Sequence, residues 1–597
     1  MKLTSFTTIL LILVLLFTAC STNTQKSPSF IKYPENNAKN ISPDTHLELI
    51  FPDKPIPGNS GKIRIYDATN NQMVDSLDMS IPAGPTEPNR MKAPYTPTPY
   101  IYTSENFTNA NTKPGTPSGV ALPTPDTFQL TIIGRFTDGF RFYPVIIHDS
   151  LATIYLHHNL LEYNKTYYVE MDSGVLALED GSFKGIKGKK QWTFTTKKPP
   201  SPADSKLLVV AADGTGDFNT VQGAIDFIPD YQPERTTIFI KNGRYEEIVY
   251  FRNKTNVTFL GESRDSVIVC YFNNEVFNPH PDNITTNEWP GTFPSRRAAF
   301  MGDNSSGIHL VNMTIMSLNF EPAQAEGLLL TGEKNIVNNV TIYGSGDALQ
   351  VNGSAYFTES SITGFGDNIL GRGPAFFNNC EFISLGGPHM WIRNTDANHG
   401  NIFINCSFST EGDIETVIAR NPITNNRGFP YSEAVLINCK LEGLKPDGWG
   451  PFGDDTKNIH YWEFNSTNMK DGKPADVSKR HPVSRQLTMK NDSLIIANYS
   501  NPAYVLNGWE PELAPVILSQ PKSKEIKKGG PVTFNVKVAA IPDAEYQWYK
   551  DGKVLENETN SRLKIKSVNV DDQGVYTVKV TNKAGTIVSN EARLKYK

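Results

Sequence analysis

At 597 residues the chain is too long for one ordinary hydrophobic core, and about three domains are expected. Hydrophobic residues make up 38%, and Asn, Thr, Ser, Gly and Pro are plentiful, which favours a β-rich, turn-rich fold over a helical one. The net charge of −5, with the signs mixed, argues against a nucleic-acid partner.

The first twenty residues read as an export signal. Lys2 is followed by an apolar run from Ile9 to Phe17 and then Thr18-Ala19-Cys20. A basic start, a short apolar stretch and small residues make a signal peptide, too short and wrongly flanked to span a bilayer. Cys20 after Thr-Ala resembles a lipobox, with Phe17 an imperfect residue at its position. That resemblance implies a lipid anchor at Cys20 and a place in the cell envelope, on the periplasmic or surface face of an outer membrane. An ordinary cleaved signal with an incidental cysteine stays open. No later segment reaches the roughly 18 apolar residues of a spanning helix.

Residues 30–197 contain strand-like pieces such as 62–66 and 192–196, interrupted at about 82–126 by a Pro-, Thr- and Asn-rich insertion. The opening Pro34-Glu35-Asn36 and the closing Trp192-Thr193-Phe194-Thr195-Thr196 resemble a bacterial Ig-like domain of exported proteins. Residues 198–206 are a linker by composition.

From there a short pattern keeps returning, an Asn followed by a short alternating strand. Copies start at Asn256, Asn312, Asn339, Glu359, Asn379, Asn405 and Asn438. A strand that recurs every 20 to 30 residues, with variable loops between, is what a solenoid of stacked coils produces. The second and fourth residues of each copy point one way and are nearly all apolar, fit for a stacked interior. Cys380, Cys406 and Cys439 fall on such positions and read as small buried hydrophobes rather than a disulfide framework or a zinc site. The leading Asn residues suit a side-chain ladder at a turn. A β-sandwich with chance repeats is the alternative. After a linker at 501–515, residues 516–597 resemble an I-set immunoglobulin domain, with Trp548 and the Asp572-Gln573-Gly574-Val575-Tyr576 corner. Val536 and Val578 stand where that family has its bridging cysteines. The expected fold class is all-β: a right-handed parallel β-helix over 207–500 flanked by two β-sandwich, Ig-like domains.

Two carboxylates carry the chemistry. Asp347, in Gly346-Asp347-Ala348-Leu349, and Asp367, in Gly366-Asp367-Asn368-Ile369, each lie eight residues after the start of their own repeat and twenty apart. Residues one coil apart stack at about the inter-strand spacing of 4.8 Å. Two carboxylates at about 5 Å repel by roughly 3 kcal/mol at an effective dielectric near 20, enough to keep one protonated beside an ionised neighbour. An acid next to a nucleophilic carboxylate can cleave an ester without serine. By periodicity alone, a pair of solvated turn aspartates is equally compatible.

The opening Asp213-Gly214-Thr215-Gly216-Asp217-Phe218, the later Gly243-Arg244-Tyr245-Glu246 and the Tyr461-Trp462-Glu463-Phe464 end resemble the pectin methylesterase family over about 207–490. Asp213 and Asp217 read as structural caps. Asp367 aligns to the family's Asp-Phe-Ile-Phe-Gly motif, Asp347 to its Gln-Asp-Thr-Leu, Gln324 to its Gln-Ala-Val-Ala-Leu and Arg420 to its Leu-Gly-Arg-Pro-Trp. The resemblance implies Asp367 as nucleophile, Gln324 as oxyanion donor, Asp347 as acid and then base, and Arg420 as the group that holds Asp367 ionised and oriented. It also implies methyl-esterified polygalacturonate (pectin) as partner, with no cofactor and no metal. The chain departs from the family at Gly346, where a Gln donor is expected, and after Arg420, where Asn421-Pro422 replace a Trp. Trp391, Arg372 and Arg393 are candidate contacts for an acidic sugar, Trp391 as a substitute stacking platform. A monomer is compatible with a capped solenoid. Rival readings are a calcium-dependent lyase on the same fold, a non-catalytic glycan-binding lipoprotein, and an esterase or thioesterase on another substrate.

Overall fold

The computed structural model describes residues 30–84, 128–134, 140–201, 206–278, 296–423, 428–527 and 529–596. The export signal, Cys20 and almost all of the 82–126 insertion lie outside the described residues.

The centre is a stack of parallel coils with three sheets running along it. One sheet has eleven strands, from Leu207–Val210 to Arg485–Gln486; the second has nine, from Gly243–Glu246 to Thr467–Asn468; the third has eight, from Val249–Arg252 to Trp449–Phe452. Every strand pairs in parallel with the strand one coil on, as in Ala355↔Ala375↔Asn401. One continuous core fills the stack, and Cys380, Cys406 and Cys439 lie within it beside Phe382, Phe403 and Phe408.

The asparagine ladder exists and has a backbone cause. Asn312, Asn339, Glu359, Asn379, Asn405, Asn438 and Asn465 all have φ between 52° and 62°, the left-handed turn conformation that Asn tolerates better than most residues. The Asn339 amide donates to Asn312 at 2.7 Å, Asn379 to Glu359 at 3.0 Å and Asn465 to Asn438 at 2.9 Å. The copy at Asn256 is a correction to the sequence reading. Its strand, Val257–Gly261, belongs to the eleven-stranded sheet, whereas the strands after the other Asn turns belong to the nine-stranded sheet. The ladder runs on instead to Asn465, hidden in sequence because polar Ser466 and Asn468 come after it.

The N-terminal end of the stack is closed by the helix Val221–Phe227, which Thr220 caps by accepting from the Gly223 amide. Asp217 accepts from the Val209 amide at 2.8 Å and Asp213 from Thr215, so both acids of the opening motif are spent on turns. The described residues of 30–201 hold a four-stranded and a five-stranded sheet, with two further two-stranded pairs, and a core around Leu47, Ile65, Val169 and Trp192. This domain docks on the helix cap through Asp44, which accepts from the amides of Asn219 and Thr220 and from the Thr220 hydroxyl. Its Ile133 and Phe140 pack on Tyr250, Met301 and Leu329 of the eight-stranded sheet. In that sheet Met301, Leu329, Gln350, Leu370 and Trp391 are successive partners, so the docked domain covers one end of the row that leads to Trp391.

Along the later strands of the eleven-stranded sheet, the helices Met489–Tyr499 and Pro502–Val505 cover the row Tyr356, Phe376, Ile402 and Val435. The stretch 501–515, expected as a linker, is therefore packed structure: it holds the second helix, and Leu513 opens the first strand of the last domain while packing on Val311 and Ile336. In that domain Trp548, Val536 and Val578 share one apolar core, and the Tyr576 hydroxyl donates to the Asp572 carbonyl at 2.7 Å.

Candidate active site

The site forms where the nine-stranded sheet turns into the eight-stranded one. Gly346 bridges Gly366 in parallel, and the Asp347 amide donates to the Gly366 carbonyl at 3.0 Å. The two aspartates thus occupy equivalent places on consecutive coils, as the twenty-residue spacing requires. Both have left-handed backbones, with φ of 59° at Asp347 and 46° at Asp367. Non-glycine residues held this way mark places where the surroundings over-determine the backbone. Asn368 supplies part of that constraint, accepting from the Gly366 amide at 3.1 Å and donating to the Ile383 carbonyl at 2.9 Å.

Arg420, in the strand Ala419–Asn421, grips both oxygens of Asp367. Its Nε donates at 2.8 and 3.1 Å, and its Nη2 donates to Oδ2 as well. This fork fixes the plane of the carboxylate. The guanidinium lies over the Trp391 ring at 4.4 Å, and Arg393 lies over the same ring at 3.9 Å. Trp391 is only 7% exposed, so the open stacking platform expected there is corrected: the ring supports two arginines. Phe429 stands edge-on to Trp391, with Arg372 and Arg393 over its own ring at 5.3 and 5.7 Å. It is the half-buried aromatic near the place where the Trp after Arg420 is missing, and sequence reading passed it over because eight residues separate it from Asn421.

Asp347 has a different environment. Burial raises its carboxyl above the usual value; the charge of Arg297 opposes this and that of Asp367 adds to it, with Arg393 and Arg420 opposing further. A carboxyl raised by burial beside one gripped by an arginine fork is the asymmetry a nucleophile–acid pair needs.

Two residues besides Phe429 escaped sequence reading. Arg297 donates from Nη2 to Asp347 at 2.9 Å, from Nη1 to the Gln324 side-chain oxygen at 2.5 Å, and from Nε to both oxygens of Glu326 at 2.8 and 2.9 Å. Glu326 is fully buried, and burial pushes its carboxyl up against the pull of Arg297. Although burial works the other way, the charges of Glu326 and Asp347 raise the Arg297 pKa and keep it cationic. The signal for Glu326 was an acid in Gln324-Ala325-Glu326-Gly327-Leu328, where the resembling motif has Val. Arg297 sits fifty residues before Asp347 and outside the repeat, and offered none. The structure therefore brings Asp347, Asp367, Gln324, Arg420, Trp391 and Arg393 together, with Arg372 joined through Phe429. Among the described residues, no group of three or more His, Cys, Asp or Glu side chains stands where it could hold a metal ion.

Comparison with known proteins gives two family matches: the pectinesterase model over residues 207–492 and an immunoglobulin-domain model over 514–582. The chain is 28% identical over 272 residues to a probable pectinesterase/pectinesterase inhibitor 42 of Arabidopsis thaliana, spanning 43% of this chain and 49% of that protein. It is 26% identical over 330 residues to a probable pectinesterase 8 of the same plant, spanning 51% of this chain and 77% of that one. With the first two relatives it shares about half of their length, 49% and 56%. Among solved structures, the pectin methylesterase from carrot is 22% identical, with 50% of this chain and 93% of that one covered and a TM-score of 0.41.

Proposed function

We propose that the pectinesterase-family domain of residues 207–492 hydrolyses methyl esters of galacturonate units in pectin. The observation that carries this is the stacked pair itself: Asp367 gripped by Arg420, one coil from a buried Asp347 whose carboxyl is raised.

In this reading an Asp367 oxygen attacks the ester carbonyl carbon, and the developing oxyanion accepts from the Gln324 amide nitrogen. The carbon–methoxy bond breaks, and the Asp347 proton goes to the leaving oxygen, giving methanol and an anhydride between Asp367 and the sugar carboxyl. Asp347, now a carboxylate, takes a proton from water as that water attacks the sugar's carbonyl carbon. The anhydride bond breaks, leaving free Asp367, protonated Asp347 and a sugar carboxyl that gives its remaining proton to solvent as galacturonate. Arg372 and Arg393 supply positive charge for neighbouring acidic sugars, and Phe429 an aromatic edge. The test is methanol release from methyl-esterified polygalacturonate beside small non-sugar methyl esters; turnover of the small esters alone would assign a different substrate.

We infer from Lys2, the apolar run and Cys20 that the chain is exported and lipid-anchored in the cell envelope. Palmitate labelling that is lost in Cys20→Ala supports the anchor; labelling retained in that variant contradicts it.

A further inference from the structure

Gly346 is the position where a side-chain donor is missing, and the structure gives a reason for the glycine. A Cβ there would meet the Ala323 carbonyl oxygen at 2.8 Å. The segment 323–325 closes directly on Gly346: its amide donates to the Ala323 carbonyl at 2.6 Å, and the Ala325 amide donates to the Gly346 carbonyl at 3.0 Å. Ser345 locks the closure, accepting from the Ala323 amide at 3.0 Å and donating to the Glu321 carbonyl at 2.6 Å. The same closure sets Gln324 in register with Gly346, one coil before it.

We propose that Arg297, clamped by the buried carboxylate of Glu326, is a positioning residue for the reaction and stands in for the side chain that Gly346 lacks. The proposal rests on the esterase reading for the role of Asp347. Its geometry is specific. The Arg297 fork spends Nε and one Nη2 contact on Glu326 and the other Nη2 contact on Asp347, and its Nη1 takes the Gln324 oxygen. With Oε1 committed to Arg297, the group Gln324 has left for a substrate oxyanion is its amide nitrogen, so Arg297 sets which way that amide faces. It also places a fixed cation beside the acid. Both oxygens of Glu326 are turned to Arg297, and a buried Arg–Glu pair is a poor stabilising device beside well-packed apolar residues. Its value lies in holding the guanidinium still.

The two partners should move Asp347 in opposite directions. Arg297→Met removes the cation that favours the ionised form and raises the Asp347 pKa; isosteric Glu326→Gln removes the anion that offsets that cation and lowers it. Free enzyme must carry the Asp347 proton, and burial holds neighbouring Glu326 up at about 7, so the alkaline limb of the kcat/KM profile follows these two acids together. The expected result is a limb about one pH unit higher in Arg297→Met and displaced downward in Glu326→Gln, with thermal melts confirming folded protein. Arg297→Lys should bring the limb back toward that of the intact protein while kcat stays low, because an ammonium lacks the fork that holds Gln324. Infrared difference titration of the Asp347 carboxyl, assigned by its loss in Asp347→Asn, reads the same shifts without substrate. Limbs or titrations that stay put, or move the same way in both variants, overturn the proposal. A protein that releases no methanol yet shows the opposed titrations sinks the esterase reading and leaves the charge clamp on Asp347 standing.

Discussion

Asp367 lies one coil beyond Asp347, and the amide of Asp347 donates to the residue just before Asp367, so the two turns are tied at the backbone. Their side chains nevertheless differ: Arg420 grips Asp367, while burial raises Asp347. Asp347→Asn keeps shape and removes the transferable proton, so methanol release should fall by about 10²–10⁴-fold with the melting temperature little changed. Undiminished release would remove Asp347 from the mechanism.

The contacts of Arg420 with Asp367 and Trp391 depend on its planar shape as well as its charge. Arg420→Lys retains the charge but cannot make the two-pronged contact with Asp367, nor lie flat on Trp391. Misplacement of a reacting group by about 1 Å can cost on the order of 10²-fold. A loss near that size in kcat, with KM less affected, is expected from steady-state kinetics; a lysine variant as fast as the intact protein would show that charge alone suffices.

The coil period was legible in the chain because interior and exterior residues alternate and Asn marks each turn, and the twenty-residue offset between Asp347 and Asp367 came with it. Contacts that obey no period were hidden. Arg297 reaches Asp347 from the far side of a long inter-strand segment, and Phe429 reaches Trp391 from a loop. The Asn256 turn misled because its residues match the repeat while its strand joins another sheet. Gly346 read as a loss, and only the Ala323 carbonyl beside it shows that the coil leaves no room for a side chain.

Acid should loosen the C-terminal cover of the solenoid. Glu433 is buried, which raises its pKa, but hydrogen bonds from His399 and His460 outweigh this, with Tyr499 of the covering helix adding to them, and set it at about 2. A carboxyl with a depressed folded pKa stabilises fully above its unfolded value near 4.3, and the benefit disappears as pH falls through the folded value. Its contribution is on the order of 3 kcal/mol. Denaturant melts between pH 6 and 2 should show Glu433→Gln with a flatter decline than the intact protein; parallel curves would contradict the assignment.

Docking of the N-terminal domain depends on Asp44, which meets the amides of Asn219 and Thr220 at 3.0 and 2.8 Å. Asp44→Ala should cost about 1–2 kcal/mol, as the loss of a helix-capping acceptor does, and increase amide exchange at the helix Val221–Phe227. Exchange unchanged there would mean that the domains hold together without it.

The most direct measurement is methanol release from highly methyl-esterified pectin by the mature protein and by Asp367→Ala. Release by the intact protein that disappears in the variant is the predicted result and fixes esterase and nucleophile together. Equal release by both, or none from the intact protein on linear and branched pectins alike, would contradict the account.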